Sequence, residues 1–261
     1  MSSAAVLLLA GGFLPAAETA PPAWRTRAAG PDETFDGKRF DYRLRPTAQK
    51  AGRYVVREVR FPSPVESPFA ANNTVPGYYY LPDDIAAGGP PRPAVVCLHI
   101  LDGRGTIARL VCSRLAEAGI PALWFTMAYF GDRRPADWKR QLKERPDAAD
   151  LLVDGLFQSA ADTRRAFDLL ASRPEVDGER IGIVGVSFGG IVGATAAGID
   201  GRFSRAVLVL AGGDLMNVIG VSRETAEIAK QIAALPPAKR LWQGRTDENR
   251  KRQYRNCLGN P

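Results

Sequence analysis

The stretch that most constrains the fold covers residues 180–193 and reads RIGIVGVSFGGIVG. Its apolar, β-branched part, residues 181–186, is typical of a buried strand. A Gly-x-Ser-x-Gly turn follows, and the small residues of 190–198 then predict a helix. A chain that passes so sharply from strand to helix needs glycines where the two elements approach each other. The stretch therefore predicts an α/β protein with Ser187 at the apex of the turn.

Ser187 has the sequence context of a nucleophile elbow, in which a strained serine hydroxyl projects from the end of a sheet. Gly185 and Gly189 support the turn, and the helix N-terminus that follows favours negative charge developing nearby. The alternative is a glycine-rich turn in an α/β protein without catalytic activity. The strand before the turn and the small-residue helix after it favour the elbow.

The remaining segments predict a largely parallel, doubly wound sheet. Apolar runs predict strands at residues 94–100, 122–127 and 205–210, and helical spacing predicts helices at 107–118, 151–172 and 222–235. Alternating patterns predict two earlier strands at 53–61 and 74–81, with 82–93 as a turn-rich connection that closes an antiparallel hairpin. This alternation of strands and helices indicates the α/β class, with an antiparallel hairpin at the N-terminal side.

The chain of 261 residues divides into one predicted α/β domain and three flanking segments. The domain covers residues 53–235, after a linker at 23–52, and a basic tail follows at 236–261. Residues 1–22 contain a short apolar run, which predicts either a signal peptide or a disordered N-terminus. The run has no preceding Lys or Arg and is too short to span a membrane, so export and cytoplasmic retention stay open.

Composition excludes several classes of function. The net charge is +7, but the arginines are scattered and no aromatic residues interleave with them, so a nucleic-acid partner is not expected. The three cysteines have no metal-ligand spacing and the chain contains one histidine, so neither a metal site nor a cofactor is expected.

Two motifs carry a resemblance to a known family: the strand end LHILDG at residues 98–103 and the turn GVSFGG at 185–190. With these motifs and their spacing, residues 53–214 resemble the α/β-hydrolase superfamily, in the branch of dienelactone hydrolases and acetyl-xylan-type esterases. The resemblance implies that Ser187 attacks a small carboxylic ester. It also implies that the backbone N–H groups of Phe188 and of Ile100 or Leu101 hold the oxyanion.

The chain departs from this family at the catalytic base. The family order is serine, acid, histidine, but the only histidine, His99, precedes Ser187. The resemblance implies that His99 supports the oxyanion loop, and a role as general base is the alternative. Asp214 is a candidate for the catalytic acid, and the alternative is an ordinary loop aspartate.

The number of predicted elements agrees with the absence of a late histidine. The sequence lacks the last strands of the family and looks C-terminally truncated. We therefore expect an impaired serine ester hydrolase, and the alternative is a non-catalytic binding protein of the same fold. The edge beside residues 205–210 is expected to be exposed and to allow self-association. In the loop at 128–150, three aromatic side chains are candidates for substrate binding: Tyr129, Phe130 and Trp138.

Overall fold

The computed structural model describes residues 22–138, 140, 144 and 148–212. Eight strands are present in these residues: β1 Arg25–Ala29, β2 Phe40–Ala51, β3 Tyr54–Pro62, β4 Thr74–Pro82, β5 Arg92–Leu98, β6 Ala122–Phe125, β7 Val176–Val186 and β8 Arg205–Val209. The α-helices used below are α1 Asp83–Ala86, α2 Thr106–Glu117, α3 Ala148–Ala171 and α4 Phe188–Ile199.

The strands form one mixed sheet in the order β1-β2-β3-β4-β6-β5-β7-β8. Strands β6, β5, β7 and β8 are parallel to one another, whereas β1 to β4 pair antiparallel and β4 joins β6 antiparallel. The predicted α/β class is confirmed. The carboxyl ends of β5, β7 and β8 consequently lie side by side at one edge of the sheet, where loops form binding sites in this architecture.

Two hydrophobic cores cover the faces of the parallel strands. On one face, Val96 and Ile183 pack with side chains of α3 and α4. On the other face, Cys97 packs with side chains of α2 and with Trp124. Because neighbouring residues of a strand point to opposite faces, a strand with helices on both sides is apolar throughout. This explains why β5, β6 and β7 could be recognised in the sequence as continuous apolar runs.

The predicted antiparallel hairpin is present, but a different segment closes it. Strands β3 and β4 pair over their whole length, from Tyr54 opposite Pro82 to Pro62 opposite Thr74, so residues 63–73 connect them. The connection at 82–93, predicted to close the hairpin, instead passes through α1 to β5. Strand β5 lies beyond β6 in the sheet. Sequence adjacency suggested the wrong partner because β6 is inserted between β4 and β5.

The prediction of a linker at residues 23–52 is wrong. This segment forms β1 and β2, which extend the antiparallel part of the sheet. Phe40, Tyr42 and Leu44 alternate along β2 and are all buried. The intervening arginines and Pro46 concealed this alternation in the sequence, where the segment appeared as a polar lead-in.

Strand β8 is the edge strand of the described sheet, and each of its five residues is exposed. The expected self-association through this edge stays a prediction. The helix predicted at 222–235, the basic tail and the segment at 1–21 lie outside the described residues. Within the described part of the chain, none of the helices has the length and apolar character needed to cross a bilayer.

The antiparallel pairing of β4 with β6 should depend on the absence of a side chain at Gly77. A Cβ atom there would lie 2.6 Å from the carbonyl oxygen of Trp124 and 3.0 Å from Cβ of Phe125. We expect Gly77→Ala to lower the free energy of unfolding by about 1–3 kcal/mol in chemical denaturation, because the strands would have to separate. The control is Gly201→Ala, where a Cβ would have no neighbour within 4 Å. Equal stability of the two variants would contradict the expectation.

Candidate active site

Ser187 lies at the junction between β7 and α4 in a strained backbone conformation, with φ 53° and ψ −119°. Its N–H donates to the carbonyl oxygen of Val209 at 2.8 Å, and its own carbonyl accepts from the N–H of Ile191 at 3.1 Å. A serine with positive φ is held only where the surroundings impose it, and such residues are concentrated at functional sites. The chain therefore turns sharply from strand to helix at Ser187, a junction that we call the elbow, and a nucleophilic role for this serine stays a prediction.

The glycines around Ser187 allow three segments to meet without side chains. A Cβ atom on Gly185 would overlap the carbonyl oxygen of Gly189. A Cβ atom on Gly189 would lie 2.7 Å from the carbonyl oxygens of Leu98 and His99. Gly190 is equally constrained, because its Cβ would lie 2.8 Å from Cβ of Ala211. The elbow therefore fixes the ends of β5 and β8 relative to the start of α4.

The predicted oxyanion donors are brought to the same edge of the sheet. Leu98 at the end of β5 is in register with Gly185 near the end of β7, so Ile100 and Leu101 follow beside the elbow. Phe188 is the first residue of α4, and its N–H precedes the first hydrogen bond of the helix. Such N–H groups have no partner within the helix and favour an anion in front of them.

His99 is completely buried, and both of its ring nitrogens have partners. Nε2 accepts a hydrogen bond from the N–H of Met127 at 3.0 Å, so the proton lies on Nδ1, which donates to the carbonyl oxygen of Ile100 at 2.6 Å. Burial lowers the pKa of His99, partly opposed by the bond to Ile100. The ring is thus a neutral link between the segment after β6 and the loop after β5, and neither nitrogen is free to take a proton from Ser187.

The predicted substrate-binding aromatic residues separate into two environments. Phe130 is half-buried, and its ring lies 5.1 Å from His99 and 5.7 Å from Phe188, measured between centroids. Tyr129 and Trp138 are buried and stack on each other at 4.7 Å. The structure therefore places Phe130 beside the elbow, whereas Tyr129 and Trp138 form a separate aromatic cluster with Phe69.

Three buried side chains hold consecutive backbone N–H groups of the loop after β6. The N–H of Met127 donates to His99, that of Ala128 to Oγ of Ser159 at 3.0 Å, and that of Tyr129 to Oδ1 of Asn72 at 2.9 Å. The three side chains come from the end of β5, from α3 and from residues 63–73. Distant parts of the chain thus fix the conformation that places Phe130 beside the elbow.

Arg133 holds the same loop through further hydrogen bonds, and its side chain is completely buried. Its guanidinium donates to Asp162 at 2.7 Å, to the carbonyl oxygen of Thr126 at 2.9 Å and twice to the carbonyl oxygen of Asn72, at 2.6 and 3.0 Å. Asp162 also accepts from Oγ of Ser63 at 2.6 Å. Burial raises the pKa of Asp162, and Arg133 opposes that shift. The pair therefore depends on its complete set of hydrogen bonds.

Sequence analysis missed Arg133, Asn72 and Asp162. Arg133 occurs in the polar run GDRRPADW, where nothing distinguishes it from the neighbouring Arg134. Asp214, the candidate acid, lies outside the described residues. Among the residues that the structure describes, no group of three or more His, Cys, Asp or Glu side chains could bind a metal ion.

Comparison with known proteins gives one family and several solved structures. The model of the dienelactone hydrolase family matches residues 75–234. A hypothetical protein from Pseudomonas aeruginosa is 22% identical, with a TM-score of 0.52, and the match covers 73% of this chain and 57% of that one. The acetyl xylan esterase from Paenibacillus sp. R4 is 18% identical, with a TM-score of 0.56, over 83% of this chain and 66% of the esterase.

A second esterase has a similar fold. Acetyl xylan esterase 1 from Thermoanaerobacterium sp. JW/SL YS485 is 14% identical, with a TM-score of 0.54, over 83% of this chain and 66% of the esterase. The chain thus spans 57–66% of the length of these structures. No curated protein matches the sequence. At these identities the likeness shows the fold alone, and the roles of the site residues stay predictions.

Removing Arg133 should strongly destabilise the fold. In Arg133→Met, the Asp162 carboxylate would stay buried without its partner, so we expect a loss of about 3–5 kcal/mol in the free energy of unfolding. The control is Arg114→Met, which breaks an exposed helical ion pair with Glu117 and should cost at most about 1 kcal/mol. Equal losses in chemical denaturation would show that the buried pair has no special structural importance.

Burial of His99 should make stability depend on pH. Because the folded-state pKa of His99 is lowered, the unfolded chain binds the proton first as the pH falls through about 6.5. The contribution of His99 is present above that pH and is lost on acidification. Asp168, whose pKa burial raises to about 6, contributes with the opposite sign.

We therefore compare wild type with His99→Gln in urea denaturation between pH 7.5 and 5.5. The free energy of unfolding of wild type should fall more steeply with acidification than that of the variant, in which this proton site is missing. Parallel curves would mean that His99 keeps an ordinary pKa in the folded protein.

Proposed function

Because the chain belongs to the dienelactone hydrolase family, we propose that it is a serine-dependent hydrolase of small carboxylic esters with Ser187 as nucleophile. The observation that carries this proposal is the strained conformation of Ser187, with φ 53°, at a strand-to-helix junction closed by glycines. In this position a hydroxyl projects toward a substrate instead of packing in the core. The esterase names of two structural neighbours agree with this class of reaction.

The proposed reaction has two steps. Oγ of Ser187 attacks the ester carbonyl carbon, its proton leaves with the alcohol, and the acyl group stays bonded to the serine. Water then attacks the acyl-enzyme, releases the acid and returns the proton to Oγ. The developing oxyanion is held by the N–H of Phe188 and by an N–H from Ile100 or Leu101. Losing one such donor typically costs about 3–4 kcal/mol of transition-state stabilisation.

Proton transfer limits this reaction. His99 is the only histidine of the 261 residues, and its ring is committed to Met127 and Ile100. Asp214 remains our proposed acid, but an acid orients a histidine and does not replace it. We therefore propose that this polypeptide turns esters over slowly. In other serine hydrolases that lack one triad residue, the remaining groups still give about 10³–10⁴-fold over water.

A second candidate function is a non-catalytic binding protein that keeps the elbow only as architecture. The observation that favours it is the hydrogen bonding of His99, which leaves Ser187 without a histidine base. The two candidates differ in one chemical property. A serine hydrolase has a serine that reacts with electrophilic phosphorus, whereas the binding protein has an inert hydroxyl at the same place.

We expect a fluorophosphonate probe to label the full chain slowly, because no histidine base activates the hydroxyl of Ser187, and we expect Ser187→Ala to abolish that labelling. The control is Ser113→Ala, which removes a surface serine on α2 that donates to the carbonyl of Arg109 and should leave labelling unchanged. Intact-mass spectrometry identifies the adduct, and circular dichroism verifies folding. Folded protein without an adduct would favour the binding protein.

The expected turnover is a separate test of the proton-transfer argument. With 4-nitrophenyl acetate, the steady-state rate of the full chain should stay within about 10³–10⁴-fold of the uncatalysed reaction. Fast, Ser187-dependent hydrolysis would show that another group acts as the base.

A further inference from the structure

Two of the three cysteines lie within the described residues, and they meet between the sheet and α2. Cys97 is on β5 and Cys112 is on α2, and both are free thiols with at most 1% of their surface exposed. Both belong to the hydrophobic cluster on this face of the sheet. Their thiols share a hydrogen bond, so the two sulfur atoms are neighbours. Spacing along the chain did not predict this contact, because residues 98–111 separate the two cysteines.

Small side chains let α2 approach the sheet at this contact. Ala108, Cys112 and Ala116 recur at every fourth position of α2, and all three are buried in the same cluster as Cys97. Residues four apart lie on one face of a helix, so this face is turned toward β5. A disulfide needs Cα atoms within roughly 7 Å of each other. A helix that packs through side chains of this size brings its backbone near the strand, which favours such an approach.

The two cysteines also bracket the loop after β5. Residues 98–111 lie between them and include Ile100 and Leu101, the predicted oxyanion donors. The loop is held again where α2 begins, because a Cβ on Gly105 would lie 2.5 Å from the ring of Trp124. A covalent bond between the two thiols would therefore tie the start of this loop to the helix that follows it.

We propose that Cys97 and Cys112 form a disulfide bond in the presence of a low-molecular-weight disulfide such as oxidised glutathione. One cysteine thiolate attacks the oxidised glutathione and releases one glutathione thiolate. The second cysteine thiolate attacks the resulting mixed disulfide and releases the other. The two released thiolates take up the two protons that the cysteines lose, so the chain loses two hydrogen atoms. The bond does not depend on the proposed hydrolase activity, since it needs only these two thiols.

Burial determines when this bond forms. It raises the pKa of the Cys112 thiol well above its ordinary value, and the neighbouring Cys97 raises it further. Only a thiolate attacks a disulfide, so the pair reacts slowly once the core has closed around it. The bond therefore forms while the chain folds or when α2 opens transiently. The quantity to measure is the equilibrium of bond formation and not its rate in the folded protein.

The test compares this equilibrium in the folded and the unfolded chain. It uses the full chain with Cys257→Ser, so that only one intrachain bond can form. The folded protein and the chain unfolded in guanidinium chloride are each kept in glutathione redox buffers until the bridged fraction is constant. Intact-mass spectrometry after acid quenching measures the fraction that has lost two hydrogen atoms. With the glutathione concentrations, this fraction gives the effective concentration of one thiol toward the other.

We expect the effective concentration to be at least about tenfold higher in the folded chain than in the unfolded chain. The bond stabilises the fold by the same factor, because it restricts the unfolded chain more than the folded one. The thermal midpoint of the oxidised protein should accordingly lie about 3 °C or more above that of the reduced protein.

The matched control moves the thiol by one position along α2, by combining Cys112→Ala with Ser113→Cys in the same background. The loop between the two thiols then has nearly the same length. Position 113 lies on another face of the helix, where the hydroxyl of Ser113 donates to the carbonyl oxygen of Arg109. In this control the effective concentration should not rise on folding. Circular dichroism verifies that both variants are folded.

Two results would overturn the proposal. An effective concentration that is no higher in the folded Cys257→Ser chain than in denaturant would leave Cys97 and Cys112 as ordinary core side chains. An equal gain in the control would show that any thiol at this part of α2 suffices. Failure of the fluorophosphonate probe to label Ser187 bears only on the proposed hydrolase, since the disulfide measurement does not use that serine.

Discussion

The contact on which the rest of the site depends is the approach of β5, β7 and α4 at Gly185 and Gly189. A Cβ on Gly185 would overlap the carbonyl of Gly189, and a Cβ on Gly189 would lie 2.7 Å from the carbonyls of Leu98 and His99. Backbone therefore packs directly on backbone at the carboxyl ends of the parallel strands. This packing imposes the strained φ of Ser187, brings the oxyanion loop next to the start of α4, and leaves little freedom for any of these segments.

Hydrogen bonds from buried side chains provide the second constraint. His99, Ser159 and Asn72 each bind one of three consecutive N–H groups after β6, and Arg133 secures the same loop through Asp162. Buried ion pairs contribute little net stability compared with apolar residues of the same shape. Their effect here is to specify one loop conformation, because a buried polar group that lost its partner would be costly. Because the loop after β6 has this one conformation, Phe130 lies beside Phe188.

The two constraints also explain an uncommon combination in this protein. In the function proposed here, the elbow and the loop after β5 provide the groups for acyl transfer, while His99 connects that loop to the segment after β6. Binding geometry and proton transfer are thus separable in this chain. In the proposed reaction, backbone groups position and polarise the ester, and proton transfer stays slow.

The sequence by itself determined the elements whose signals are local. The apolar runs of β5, β6 and β7 reflect burial on two faces, and the Gly-x-Ser-x-Gly turn reflects a tight junction; both constraints act over a few residues. Tertiary structure alone decided the pairing of β1 and β2, the proton position on His99, the burial of Arg133 and the separation of Phe130 from Tyr129 and Trp138. Each of these depends on partners tens of residues away, such as Met127 for His99 and Asp162 for Arg133. Hydrogen-bond partners at such separations leave no periodic pattern in the sequence, because they are specified by three-dimensional contact and not by spacing along the chain.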